Sequence, residues 1–241
     1  GDLDVSAIDQ LPPGRQAIQT RAVNDRLRDE CYDFVEKELK KGRQAYVVTP
    51  LIEESESLDV RSAEEVYEEL KSRFSSYTTA LLHGAMKQQQ KDEIMNRFYK
   101  NEIQVLVSTV VIEVGINVPN ATVMVVENSE RFGLAQLHQL RGRVGRGTEQ
   151  SYCILISKKS SEVAQKRAEI MEASQDGFYI AEQDLKLRGP GEIFGTRQHG
   201  VPDLVIADLA RHLKILEDVK KEAEAIIEED PFLETYRYAG I

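Results

Sequence analysis

At 241 residues, 41% hydrophobic and 30% charged, the chain is long enough for one large α/β domain with an appendage and a well-solvated surface. Its formal net charge of −10 excludes attraction to nucleic acid through diffuse positive charge, so any such contact must rest on local cations. No apolar run approaches a membrane span and no basic-then-apolar leader opens the chain. Cys31 and Cys153 have no Cys or His at metal-ligand spacing, which reads as reduced, part-buried thiols of an intracellular protein without a metal site.

Leu11-Pro12-Pro13-Gly14 breaks helix and strand alike, so residues 1–19 read as irregular. A chain opening on Gly1-Asp-Leu-Asp is expected to be a piece of something longer. From about Asn24 a helical stripe of Leu27, Cys31, Phe34, Val35 and Leu39 runs to Lys40-Lys41-Gly42, two cations and a glycine stop. Gln44 to Pro50 is a short apolar run ended by proline, the pattern of a buried parallel strand. Ser62 and Glu65 form a capping box ahead of a helix with Ala63, Val66, Tyr67, Leu70 and Phe74 inward.

Thr78 to Leu82 is the next strand, running into His83-Gly84. A helix from about Lys87 to Lys100 turns Ile94, Met95, Phe98 and Tyr99 inward. Further strands are expected at Gln104 to Ser108, Thr122 to Glu127 and Tyr152 to Ile156, with a helix over Leu134 to Leu140. Strands alternating with helices predict a mostly parallel sheet with helices on both faces and right-handed crossovers. Beyond Ser160 a helix carrying Val163, Ala164, Ala168, Ile170 and Met171 stops near Gly177. A second spans Ile180 to Leu187, making a helical hairpin. An irregular loop with Arg197, Gln198 and His199 follows, then a long helix over Asp208 to Glu228.

Two groups of residues carry chemistry. Ligands of open parallel sheets bind beyond the carboxyl ends of the strands, and polar residues gather there: Thr49, His83, Ser108, Thr109, Glu127 and Asn128. Glu127 and Asn128 read as satisfied caps or turns, and Ser108-Thr109 and His83-Gly84 as ligand contacts. The second group is Gln139-Leu-Arg141-Gly142-Arg143-Val-Gly145-Arg146-Gly147, with three arginines in six residues. Arginine's rigid, always-charged fork suits phosphate oxygens, and glycine beside it lets backbone and guanidinium approach a bulky anion together. A solvated basic turn would show the same spacing. The cluster is expected to face the rim where the strands terminate, free of carboxylates from its own chain.

Several of these segments together resemble the second motor domain of superfamily 2 helicases. Gln139-x-x-Gly142-Arg143-x-x-Arg146 is similar to their motif VI, and Ser108-Thr109-Val-Val-Ile-Glu-Val-Gly115-Ile-Asn117-Val-Pro119 to their motif V. Asp176-Gly-Phe-x-Ile-Ala-Glu-x-Asp184-Leu-x-Leu-Arg188-Gly-Pro-Gly-Glu192, with Gly195-Thr196-Arg197-Gln198, resembles the translocation element of the RecG family of branch-migrating DNA helicases. The transcription-repair coupling factor would carry Arg-Gly-Ala-Gly where this chain has Arg188-Gly-Pro-Gly. The resemblance divides the chain into a linker over 1–22, a second RecA-like domain over 23–158 and a helical translocation element over 159–241.

By that resemblance Arg143 and Arg146 reach a γ-phosphate across an interdomain cleft. Gln139, Gly115 and Asn117 lie against the nucleotide, although many relatives carry Asp at the Asn117 position. Thr49, His83, Gly84, Ser108 and Thr109 touch the DNA backbone, and Arg188, Arg197 and Gln198 couple closure to duplex movement. Arg141 could instead be a structural ion-pair partner. The sequence has no Gly-x-x-x-x-Gly-Lys-Ser/Thr and no strand ending in an Asp-Glu pair. ATP and Mg²⁺ would therefore be held mainly by a first motor domain, absent here with its DNA-junction wedge domain. The implied whole is a monomeric enzyme of the bacterial cytoplasm that remodels forks and Holliday junctions. Another superfamily 2 motor, or a non-catalytic nucleotide-binding module, remains as an alternative.

Overall fold

The computed structural model describes residues 16–50, 56–109, 118–158 and 161–188, the side chains of 56–61 and of 188 excepted. Six strands form one sheet: β1 Gln19–Asn24, β2 Gln44–Thr49, β3 Thr79–Leu82, β4 Val105–Thr109, β5 Ala121–Val126 and β6 Tyr152–Ser157. Their order is β1-β6-β5-β2-β4-β3, and every pairing is parallel. β2 and β5 are buried along their whole length, as their unbroken runs of apolar residues require.

Helices α1 Arg28–Lys40 and α2 Glu56–Arg73 pack on one face, where Tyr32, Val35, Leu39, Leu70 and Phe74 close over Val47, Val107, Val125 and Ile156. Tyr46 points the other way and meets Phe98 of α3 Gln88–Tyr99, ring centroids 4.8 Å apart. Leu134, Leu137 and Leu140 of α4 Leu134–Arg141 are buried as well. Helix α5 Glu162–Ala173 lies against β1 and α4, and α6 Gly177–Arg188 follows.

Several local expectations need correction. The stretch 19–22, read as irregular or linker, belongs to β1, whose alternating burial is that of a strand with one covered face. Thr20, Ala22 and Val23 give too weak an apolar alternation to announce a strand, and pairing with β6 supplies what propensity lacks. Leu27 lies in a 3₁₀ turn, Asp25–Leu27, and is exposed. The Ser62–Glu65 box does not start α2, which begins at Glu56. Tyr99 and Val163 face solvent at the ends of their helices. Gly177 opens α6 rather than closing α5. The chain divides into two compact units after Asp184, within α6. The long helix expected at 208–228 lies outside the described residues.

Candidate functional site

The carboxyl ends of the strands bring together the polar residues that the sequence put there. Thr49, Ser108 and Thr109 are each buried, and the Thr49 hydroxyl donates to the Ser108 carbonyl at 3.4 Å. The Ser108 and Thr109 hydroxyls and Nδ1 of His83 are enclosed yet have no hydrogen-bond partner among the described residues. A buried donor left unpaired costs about 1–3 kcal/mol, so each of these hydroxyls is able to take an outside acceptor. Thr79 and Thr122, near the starts of their strands, also carry hydroxyls unpaired among the described residues. Ser108, Thr109 and His83 share the carboxyl end of the neighbouring strands β3 and β4, with the Ser108 and Thr109 side chains leaving β4 on opposite faces. Gly84 follows His83, and its carbonyl accepts from Lys91 Nζ at 2.8 Å.

Glu127, at the end of β5, is spoken for within the chain, as expected of a satisfied cap. Its Oε1 accepts from Arg28 Nε at 2.7 Å and from the Tyr32 hydroxyl at 2.6 Å, and Arg28 also pairs with Glu69. Burial would lower the Arg28 pKa, but the Glu69 and Glu127 carboxylates outweigh it and hold the value above the ordinary one. Burial and then the Glu127 charge push the Tyr32 hydroxyl well up. This cluster joins α1, α2 and β5. Asn128 beside it adopts a left-handed backbone, φ 49°, and leads into a 3₁₀ turn.

The arginine cluster sits at the opposite end of the sheet, which corrects the expectation that it faces the carboxyl rim. In a parallel sheet a helix leaving the carboxyl end of one strand must return the chain to the amino end of the next. Helix α4 does this between β5 and β6, and the loop 142–151 comes to rest among the starts of β1, β2, β5 and β6. Arg43, just before β2, pairs with Glu149 at 2.8 Å. A Cβ on Gly147 would lie 2.7 Å from the Pro119 carbonyl, just before β5. Gly145 adopts φ +75° and presses on Ile18, just before β1. These two glycines are thus required by packing within the chain rather than by approach to a ligand.

The three arginines divide. Arg141 is buried and donates to the Met171 and Ser174 carbonyls, both at 2.8 Å, and to His138 Nδ1 at 3.0 Å. It is a structural residue, but its partners are carbonyls and an imidazole instead of an acid. Because Arg141 can only donate, His138 must accept at Nδ1 and carry its proton on Nε2. Burial, then the Arg141 charge, lowers the His138 pKa. Arg143 and Arg146 are half-buried, and among the described residues no carboxylate pairs with either. Arg146 Nε donates to the Gly142 carbonyl at 3.1 Å. Burial pushes the Tyr46 hydroxyl up to about 12 while the Arg143 and Arg146 charges pull it down, so both guanidinium groups lie within electrostatic reach of that ring.

Gln139 is exposed on α4. Gly115, Asn117, Arg197 and Gln198, and the Arg188 side chain, lie outside the described residues. Among the described residues no cluster of His, Cys, Asp or Glu could hold a metal ion, and no helix is long and apolar enough to cross a membrane. Sequence reading had no signal for Ile18 or for the Arg43–Glu149 pair, which become visible only once the chain ends of four strands are brought together.

A six-stranded parallel sheet with an arginine loop at one end and a hydroxyl rim at the other is the frame of a helicase motor domain. The chain belongs to the helicase conserved C-terminal domain family, whose model matches residues 25–148, just over half of it. Residues 174–241 match the model of "ATP-dependent DNA helicase RecG, domain 3, C-terminal". The chain is 50% identical over 237 residues to the ATP-dependent DNA helicase RecG of Synechocystis, covering 98% of this chain and 28% of that protein. It is 48% identical to RecG of Bacillus subtilis over 99% of this chain and 35% of that protein. It thus spans about a third of the length of these relatives. A solved structure of RecG bound to a three-way DNA junction superposes with a TM-score of 0.68 at 48% identity, covering 87% of this chain and 27% of that one.

Proposed function

We propose that this chain is the second motor half of an ATP-dependent translocase on branched double-stranded DNA, in which the amino end of the sheet serves the nucleotide and the carboxyl end serves the duplex. One observation carries the reading: two arginines of a motif VI-like loop stand without a carboxylate among the described residues, while the buried Arg141 beside them is fully engaged. That fits a phosphate supplied from outside. Bound ATP, with Mg²⁺ held elsewhere in the protein, would supply the phosphoanhydride whose cleavage drives movement.

Arg143 and Arg146 place positive charge against the equatorial oxygens on which negative charge spreads during phosphoryl transfer, which is worth about 10³–10⁵ in rate for an inserted arginine. Gln139, Gly115 and Asn117 line the same nucleotide. At the other end Thr49, His83, Gly84, Ser108 and Thr109 offer hydroxyls, a ring nitrogen and backbone to phosphates, contacts that hold register without reading bases. Arg188, Arg197 and Gln198 couple closure to duplex movement. Fork and Holliday-junction remodelling in the bacterial cytoplasm, by a monomer whose first motor and wedge domains complete the site, follows from the likeness to RecG. The 241 residues alone would hydrolyse no ATP, because they present one wall of the cleft.

The experiment is DNA-stimulated ATP hydrolysis by the full-length protein carrying Arg143→Ala or Arg146→Ala. Each change is expected to lower kcat about 10³-fold. Hydrolysis retained in both variants would remove the arginines from the phosphate site.

A further inference from the structure

Residues 16–20, just ahead of β1 and at its start, touch the arginine loop or its flanks at each of five consecutive positions. Gln16 Nε2 donates to the Thr148 carbonyl at 3.0 Å, and Gln150 Nε2 donates to the Ala17 carbonyl at 2.8 Å. The Gln19 N–H donates to the Ser151 carbonyl at 2.9 Å, and Thr20 Oγ1 accepts from Arg141 at 3.4 Å. Ile18, between them, does something different. Its side chain lies so close under Gly145 that a Cβ there would be 2.8 Å from Ile18 Cγ1. Ile18 Cδ1 would be 2.9 Å away and the next residue, through Ser151 Cβ, 3.9 Å, so on this side the turn packs on Ile18.

Ile18 is itself held from a third direction. Its N–H donates to Gln175 Oε1 at 3.1 Å, and Gln175 Nε2 donates to its carbonyl at 2.9 Å. One side-chain amide from the turn after α5 therefore closes on this peptide as a neighbouring strand would. Glu172 Oε1 accepts from the Ala22 N–H at 2.8 Å, so the open edge of β1 is covered by side chains of α5 and its turn.

We propose that Ile18, clamped by Gln175, is a positioning residue for Arg143 and Arg146. The proposal rests on the reading of those arginines as phosphate ligands and extends it to the support beneath them. Gly145 lies between the two arginines and has a backbone that only glycine adopts without strain. Movement of Ile18 is therefore passed through the Gly145 turn to both guanidinium groups. A misplacement of about 1 Å at a transition-state ligand can cost about 10²-fold in rate. In this role Ile18 acts through the Gly145 turn, so the loss falls on kcat and not on KM for ATP.

The test uses the full-length protein with saturating branched DNA, measuring kcat and KM for ATP in Ile18→Ala, Ile18→Val and Gln175→Ala. Ile18→Ala is expected to lower kcat about tenfold and Gln175→Ala about threefold, with KM unchanged within about twofold and Ile18→Val close to the parent. Full kcat in both alanine variants, alongside inactive Arg143→Ala and Arg146→Ala, would overturn the positioning role and leave the arginine reading intact. Active Arg143→Ala and Arg146→Ala proteins would instead sink the arginine reading itself. If Ile18→Ala does not fold, Gln175→Ala decides alone: Gln175 is exposed and its loss threatens no core. A purely structural clamp would lower the melting temperature of that variant and spare its kcat.

Discussion

The two ends of the sheet handle charge in opposite ways. At the carboxyl end the charged groups are engaged with one another: Arg28 pairs with both Glu69 and Glu127, Tyr32 donates to Glu127, and uncharged hydroxyls are left over at Ser108 and Thr109 among the described residues. At the amino end Arg43 takes Glu149, Arg141 takes backbone carbonyls, and Arg143 and Arg146 have no carboxylate among the described residues. Neutral donors suit a polyanionic backbone that must slide, since they hold it without a strong electrostatic well. Unneutralised guanidinium groups suit a compact phosphate on which charge builds up during reaction. A sheet with both arrangements can link events at its two ends through strands that are rigid along their length.

The contrast can be attacked from either side, starting with the largest effect. Glu127→Ala strips a buried carboxylate from Arg28 and Tyr32 and should destabilise the chain by about 3–5 kcal/mol, read from urea unfolding. A loss below about 1 kcal/mol would mean that the cluster is loose and that Arg28 is available to a ligand. Gly147→Ala drives a methyl into the Pro119 carbonyl and should cost about 2 kcal/mol by the same assay. An unchanged midpoint would show that the loop is not packed against the start of β5. Thr109→Ala removes one rim hydroxyl and should weaken junction binding by the full-length protein about fivefold, the worth of one hydrogen bond near 1 kcal/mol. Equal affinity would take that hydroxyl out of the DNA contact.

The smallest effect concerns His138. Its folded-state pKa lies below the unfolded value near 6.5, so the unfolded chain binds more protons in that range. Its contribution to stability is complete above about pH 6.5 and falls as pH drops through that value, levelling off below the folded-state pKa. The melting temperature should decline below pH 6.5 in the parent and decline less in His138→Gln. Identical pH profiles would mean that His138 does not accept the Arg141 hydrogen bond.

Apolar runs with clear periods made most of the fold legible: β2, β4, β5 and β6 were expected within a residue or two of their observed limits. β1 was not, because an edge strand covered on one face needs little apolar content and is specified by its partner. The rim residues could be found from sequence because each directly follows an apolar strand. The end at which the arginines lie was readable in principle, since α4 must carry the chain back to the start of β6. Motif resemblance instead drew both groups to one rim. Arg141 was singled out as a possible structural residue, but its partners could not be read from spacing: the packing of α5 against α4 gives it backbone carbonyls in place of the expected acid.

The separation of the two ends is tested most directly by measuring ATP turnover and three-way-junction affinity on one preparation of full-length Arg146→Ala protein. The account expects turnover to fall about 10³-fold while junction affinity stays within about twofold of the parent. Turnover near that of the parent, or junction affinity lost in step with turnover, would contradict it.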